Sequence, residues 1–434
     1  MINLFQKYLG NQDFGEIITK GFSFFLIRLL SAAIGYIFTI YVSNKYGADI
    51  YGLVALGLSM FTILSVIGRL GLETNIVKFF SQDKNDVEAG VFFKSIIISF
   101  IFSGCIAYIL YFFSDDLVYR VYKEPKPELL DYLPWILAAL PFWNVAVICA
   151  SLLRAKKLSN AFAFITNISR FLLGFILIIL ITTVFGVNPV YVVLGHFWGV
   201  VLTAVISFIM ALKRLSFLKI KSKTKSYKFL KESFPMLLSS SILILLGLTD
   251  TQVMGIYESN SNIGIYNVSI KIATLTTFSL QAINSILAPK IAKSFAEGNE
   301  EYKSLIKFST KLNFLISAAV VLGIIVFRNF LLGLFGESFL AGEIILLIFC
   351  GGQIINSFAG SVGVILQMIG KQRVYQNFVV GALILNLILT FILTPIYGGI
   401  GAACATVISM AFWNIGSAIY LKYKMNIITY YNFK

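Results

Sequence analysis

"SNKYGADIYG", Ser43 to Gly52, is a short polar stretch punctuated by glycine between two long apolar runs. "NSNIGIYNVS", Asn260 to Ser269, repeats its character about half a chain later. Ile50-Tyr51 and Ile265-Tyr266 are 215 residues apart in a chain of 434. A connector that recurs at half the chain length points to two copies of one helical unit, each opening with two spans joined in this way.

The flanking runs fix what kind of helix this is. Of the residues, 58% are hydrophobic and 13% charged, with 40 Phe, more apolar surface than a soluble chain of this size can bury. Runs of about 20 apolar residues are long enough to cross a hydrocarbon core about 30 Å thick. Hydropathy predicts twelve spans, at 21–43, 51–68, 90–113, 132–153, 160–185, 188–212, 233–256, 264–288, 308–332, 340–367, 374–394 and 398–421. The fold class is therefore an all-α polytopic membrane protein. Met1 to Gly15 is polar, with Lys7 and Asp13, and carries no cleavable signal pattern, so the first span reads as a retained anchor. Cys105, Cys149, Cys350 and Cys404 lie in apolar runs without CxxC or His spacing and read as small buried hydrophobes, with neither a disulfide framework nor a metal site.

Lys and Arg stay on the cytoplasmic side during insertion. Connectors on the side of the N-terminus hold 27 of the 35 basic residues, against 5 on the other side: Lys45, Arg120, Lys123, Lys126 and Arg328. Both termini are thus expected in the cytoplasm, and the net charge of +15 calls for no nucleic-acid partner; anionic lipid head groups would add to the attraction. The densest basic connector, "KRLSFLKIKSKTKSYKFLKES" from Lys213 to Ser233, lies near the midpoint. It divides the chain into an N-terminal six-helix half at 1–213, a basic cytoplasmic linker at 214–232 and a C-terminal six-helix half at 233–434. Six spans per half give both halves the same orientation. They are parallel repeats about a central cavity, suited to a carrier whose halves rock to expose one site to each side in turn.

Charges inside spans are costly and mark bundle interiors or aqueous cavities. Apart from Tyr, Cys and His, four stand out: Arg28, Arg170, Asp250 and Lys271. Arg170 lies about ten residues from either end of its span, beside Thr166, Asn167 and Ser169, and reads as a cavity residue in preference to a structural hydrogen-bond donor. For Arg28, nearer the cytoplasmic end, lining the cavity and snorkelling to the head groups are equally good readings. Asp250 and Lys271 lie at similar depth and could form a buried pair; alternatively Asp250 titrates or exchanges partners and couples transport to protons or sodium. His196, in "LGHFWG", reads as an interfacial residue beside Trp198. Ser239, Ser240, Ser241, Thr249, Thr251, Gln252, Gln281 and Asn284 form a polar cluster on spans 7 and 8 that suits helix packing or a hydroxyl-rich ligand. Pro141 and Pro235 read as kinks.

The external connector Ser114 to Asp131 is short and alternates acidic residues with Arg120, Lys123 and Lys126, the pattern of a solvated loop. It offers no room for the catalytic domain of a membrane polysaccharide polymerase, and no Walker motif indicates ATP use. The reading is a transporter without cofactor.

"YVSNKYGADIYGLVALGLSMFTILSVIGRLGLETNIVKFFSQ", Tyr41 to Gln82, and "FPMLLSSSILILLGLTDTQVMGIYESNSNIGIYNVSIKIATL", Phe234 to Leu275, resemble the bacterial polysaccharide-export flippases. These are also called O-antigen or repeat-unit flippases, and belong to the multidrug/oligosaccharidyl-lipid/polysaccharide exporter superfamily. Asp250 and Ile263 to Tyr266 match the family pattern. The resemblance implies a flippase of the bacterial inner membrane, multi-pass, that moves polyprenyl-pyrophosphate-linked oligosaccharide to the external leaflet by alternating access for surface polysaccharide synthesis. It also suggests other polysaccharide-assembly membrane proteins as partners. Arginine's planar fork suits a pyrophosphate, so Arg170, then Arg28, then Lys271 are the expected substrate-binding residues, with Asp250 for coupling or gating. Two rivals share the superfamily. A lipid II flippase also carries a pyrophosphate lipid, but often has more helices. A multidrug antiporter of cations needs an acidic cavity, whereas no span of the N-terminal half holds a carboxylate.

Overall fold

The computed structural model describes residues 12–81, 89–215 and 226–431. The first eleven residues lie outside it, as do Lys219, Lys221, Lys223 and Lys225 of the basic connector and the side chains of Ser239 and Ser240. The described chain is helical: α1 Gln12–Arg69, α2 Leu72–Phe80, α3 Ala89–Phe112, α4 Leu129–Ala155, α5 Ser159–Phe185, α6 Val190–Leu212, α7 Ser226–Tyr257, α8 Asn260–Ala296, α9 Glu301–Val326, α10 Glu337–Met368 and α11 Gln372–Met425.

Two of these are too long to be one span. The apolar part of α1 has 44 residues, about 66 Å of helix at 1.5 Å per residue, twice what a bilayer core needs. It is two helices joined at Gly47, whose φ of 83° lies in the region where a Cβ is disfavoured, and α11 is likewise two helices joined at Gly398, φ 58°. Among the described residues nine helices pass as spans by length and hydropathy. α7, bent by 57° between Ser226–Leu237 and Ser241–Tyr257, supplies a tenth, and the two glycine joints bring the number to the expected twelve. The polar stretch around Ser43 is therefore a kink with helix on both sides, not a loop.

The chain folds as two compact units, Leu30–Gly264 and the remainder from Ile265 together with the beginning of α1 up to Leu29. The first is built around α4, whose apolar window is 83% buried, whereas α3 and α5 bury 22% and 28% and turn Phe100, Ile101, Ile109 and Leu180 outward as a lipid-facing surface does. Ser95, Ser99 and Ser103 recur every four residues on the buried face of α3, and Ser99 Oγ donates to the Gly68 carbonyl at 3.0 Å. Small hydroxylated residues let spans approach closely where lipid supplies no hydrophobic drive.

The repeated connector now has a physical role. A Cβ on Gly52 would meet the Asn260 carbonyl oxygen at 1.7 Å, and one on Gly264 would meet the Ala48 carbonyl oxygen at 2.5 Å. Ala48 and Gly52 are one turn apart in the first motif, Asn260 and Gly264 one turn apart in the second. The two copies pack backbone to backbone in a reciprocal contact, which only glycine at both positions allows.

α2, unanticipated by hydropathy, fastens α7. Asn75, buried, donates from Nδ2 to the Phe229 carbonyl at 3.0 Å and to Ser233 Oγ at 2.9 Å. Asn75→Ala removes two buried hydrogen bonds of about 0.5–1.5 kcal/mol each, so it should cost about 1–3 kcal/mol, while the Phe229 carbonyl keeps the Ser233 hydroxyl as donor at 2.8 Å. A lowered thermal midpoint of the detergent-solubilised protein would register it.

In the second unit, α8 to α11 enclose an apolar cluster with Ile365, Leu366, Leu421 and Ile427. The chain after α11 folds back into it: Ile427 N donates to the Leu421 carbonyl, and Tyr431 stacks on Phe314 at 4.6 Å.

Three sequence expectations need correction. Cys105 is exposed on α3, while Cys149 and Cys350 are buried as expected. His196 does not share the outward face of Trp198: it is 5% exposed while Trp198 is 47% exposed, because residues two apart on a helix face opposite ways. Lys126 is 2% exposed, although its connector reads as a solvated loop.

Candidate functional site

Arg170 is placed by a defect in its helix. Phe164–Ser169 forms a π turn within α5, and Arg170 begins the regular α-helix that follows. Thr166, Asn167 and Ser169 each bond back to the carbonyl four residues earlier, competing with the ordinary ladder. The Asn167 carbonyl accepts from Ser31 Oγ at 2.6 Å, which ties the first limb of α1 to α5 one turn from Arg170. Wide turns of this kind concentrate at functional positions.

The guanidinium lies 4.6 Å from the ring centroids of Trp143 and Phe171 and 5.7 Å from that of Phe61. Aromatic faces attract it electrostatically without occupying its N–H donors, and its Nε is buried without a hydrogen-bond partner. His196 packs edge-on to Phe61 at 5.1 Å, with Nε2 buried and unpartnered. Asn144, next to Trp143 and fully buried, leaves both amide atoms unpartnered. Arg69, buried at the end of α1, ion-pairs with Glu73 at 3.5 Å, donates from Nη1 to Ser65 Oγ at 3.1 Å, and repels Arg170 electrostatically. Buried polar groups are almost always satisfied by protein, water or a ligand. The group holds acceptors in Glu73 and the Asn144 carbonyl as well as donors, but with two guanidinium groups against one carboxylate its net charge favours an anion over a cation.

Of the four residues singled out in the sequence, Arg170 forms this centre. Asp250 is 2% exposed on α7 in the same unit. Arg28 is exposed on α1, one turn before Ser31, and Lys271 is half-buried on α8; both belong to the other unit. Sequence reasoning missed Arg69, Phe61, Trp143 and Asn144. An amide inside an apolar span was a visible signal for Asn144, and Glu73 four residues after Arg69 was one for the ion pair.

Against known proteins, a family model described as polysaccharide biosynthesis protein matches residues 17–295, and one described as MatE matches residues 235–392. The chain is 29% identical over 174 residues to a probable low-salt glycan biosynthesis flippase, Agl15, of Haloferax volcanii. That alignment covers 40% of the chain and 37% of the relative's length. The fold superposes on the lipid II flippase MurJ in an inward closed conformation with a TM-score of 0.74, at 15% identity, over 93% of this chain and 87% of that one. It superposes on an inward-facing multidrug resistance MATE family transporter of the MOP superfamily with a TM-score of 0.72, at 17% identity, over 93% and 98%.

Proposed function

The chain belongs to the polysaccharide biosynthesis protein family, and from that premise we propose that it is a flippase for a lipid-linked oligosaccharide, moved from the cytoplasmic to the external leaflet by alternating access. The observation that carries this reading is the Arg170 centre: a buried guanidinium held by aromatic faces with donors to spare. A phosphate or pyrophosphate between lipid and sugar is an anion that such donors bind in charge-assisted pairs. Arg28 and Lys271 are further substrate-binding residues in this reading, Asp250 serves coupling or gating, and the two six-helix halves are the bodies that rock. The cytoplasmic placement of both termini follows from the basic connectors, and the lipid tail stays in the bilayer while the head group crosses.

Deleting the gene in its host tests this. Loss of surface glycan together with accumulation of the complete oligosaccharide on its lipid supports it. Intact surface glycan with heightened sensitivity to cationic compounds sinks it in favour of drug export. A block in cell-wall synthesis with accumulated lipid II instead assigns the same site to that substrate.

Trp143→Leu removes the nearest aromatic face across the helix interface while keeping an apolar side chain. It should lower export about five- to thirtyfold, the equivalent of a partly desolvated cation–π contact of about 1–2 kcal/mol, measured as surface glycan per unit of membrane-inserted protein.

A further inference from the structure

We propose that the connector between α3 and α4 is a releasable latch that holds the external side closed, with Lys126 as its key; this rests on the transporter reading. The segment Tyr122-Lys123-Glu124-Pro125-Lys126-Pro127-Glu128 is charged, yet Tyr122 is 5% and Lys126 2% exposed. What buries them is the end of α7. The last carbonyls of a helix have no partners within it. Here the connector supplies them from more than 130 residues away: Lys123 N donates to the Ile256 carbonyl at 2.8 Å, and Lys126 Nζ donates to the Glu258 carbonyl at 2.8 Å. Lys123 Nζ also lies 4.5 Å from the Tyr257 ring centroid. Two lysines thus stand at the negative end of the helix dipole.

The same place holds the reciprocal glycine contact of the two repeated motifs, and beneath it Leu56 packs under Gly255 and accepts, through its carbonyl, from Gln252 Nε2 at 3.1 Å. A carrier that exposes its site to each side must part this contact once per cycle. The glycines meet without directional bonds, so the lysine bonds set how readily the contact opens. Their acceptors are neutral carbonyls. Glu124, Glu128 and Glu258 also attract Lys126, but the first two are exposed and the third half-buried, so swinging the connector into water hydrates lysine and carbonyl alike and strands no fully buried countercharge, whereas a buried salt bridge here would resist release. Pro125 and Pro127 stiffen the segment, so that it moves as one piece.

The test reads access directly and needs no substrate, so it stays separate from the question of what is carried. Leu56→Cys is placed in a background without the four native cysteines and labelled in whole cells with a membrane-impermeant maleimide. Lys126→Met should raise the labelling rate about tenfold, as expected for loss of a charged hydrogen bond, while Lys126→Arg stays near the parent rate. Adding Lys123→Cys and Ile256→Cys, whose backbones are in hydrogen-bond contact, allows oxidation to lock the connector, and labelling at position 56, read from its own peptide because the reduced pair also reacts with maleimide, should be slower in the locked protein than in the reduced one. The lock also decides the matter if Lys126→Met fails to fold. Unchanged labelling in Lys126→Met, or equal rates with and without the lock, overturns the latch.

Discussion

Arg170→Gln should reduce export by at least about a hundredfold and leave thermal stability unchanged or raised. The two effects have separate causes. A guanidinium binding a phosphate group in forked geometry makes two charge-assisted hydrogen bonds, each worth about 1.5–3 kcal/mol, and glutamine replaces neither. For the fold, the same cation is a cost: it is buried in a bundle beside Arg69, with Nε unpartnered. Removing an uncompensated buried charge relieves desolvation and repulsion. Complementation of the deletion strain gives the first number, and thermal unfolding of purified protein gives the second. A structural arginine would behave oppositely, with stability and export falling together.

Gly199→Leu should have the largest effect on stability, about 3 kcal/mol, the upper range for overpacking. A Cβ there would lie 2.6 Å from Gly174 N, 2.7 Å from Gly174 Cα and 2.9 Å from the Arg170 carbonyl oxygen. All three are backbone atoms, so no side chain can yield and α5 must move away from α6. Gly195 and Gly199 form the small-residue pair that brings the two helices to backbone contact. Because Arg170 sits on the displaced turn, export should be lost along with protein yield. Gly247→Ala is the control: a Cβ there meets nothing within 4 Å, and alanine's better helix propensity should hold or raise stability.

How much of this the residues announce depends on how local the cause is. Span positions follow from hydropathy, a property of each segment by itself, and the repeat follows from one motif seen twice. Arg170 is legible because a cation ten residues deep in an apolar run has nowhere to snorkel. Lys126 is not, since a lysine among glutamates and prolines looks solvated until a helix end far along the chain reaches it. His196 was misplaced by its neighbour Trp198: proximity in sequence outweighed the helical turn that separates their faces. Arg69 lies at the end of an apolar run and passes for an orientation charge, and only packing reveals that it is buried. The reciprocal contact of Gly52 and Gly264 is intermediate, because the motif flags both glycines but not that they meet.

A lipid-linked oligosaccharide that crosses the bilayer through a cationic centre at Arg170 changes leaflet only where that centre is intact. The direct measurement is leaflet distribution in proteoliposomes loaded with the lipid-linked oligosaccharide extracted from the deletion strain, read by a glycosidase that cannot cross the membrane. With wild-type protein, nearly all of the oligosaccharide should become accessible, while liposomes without protein or with Arg170→Gln should keep the inner-leaflet share protected. A wild-type result equal to that of empty liposomes, or an Arg170→Gln protein as active as wild type, would contradict the account.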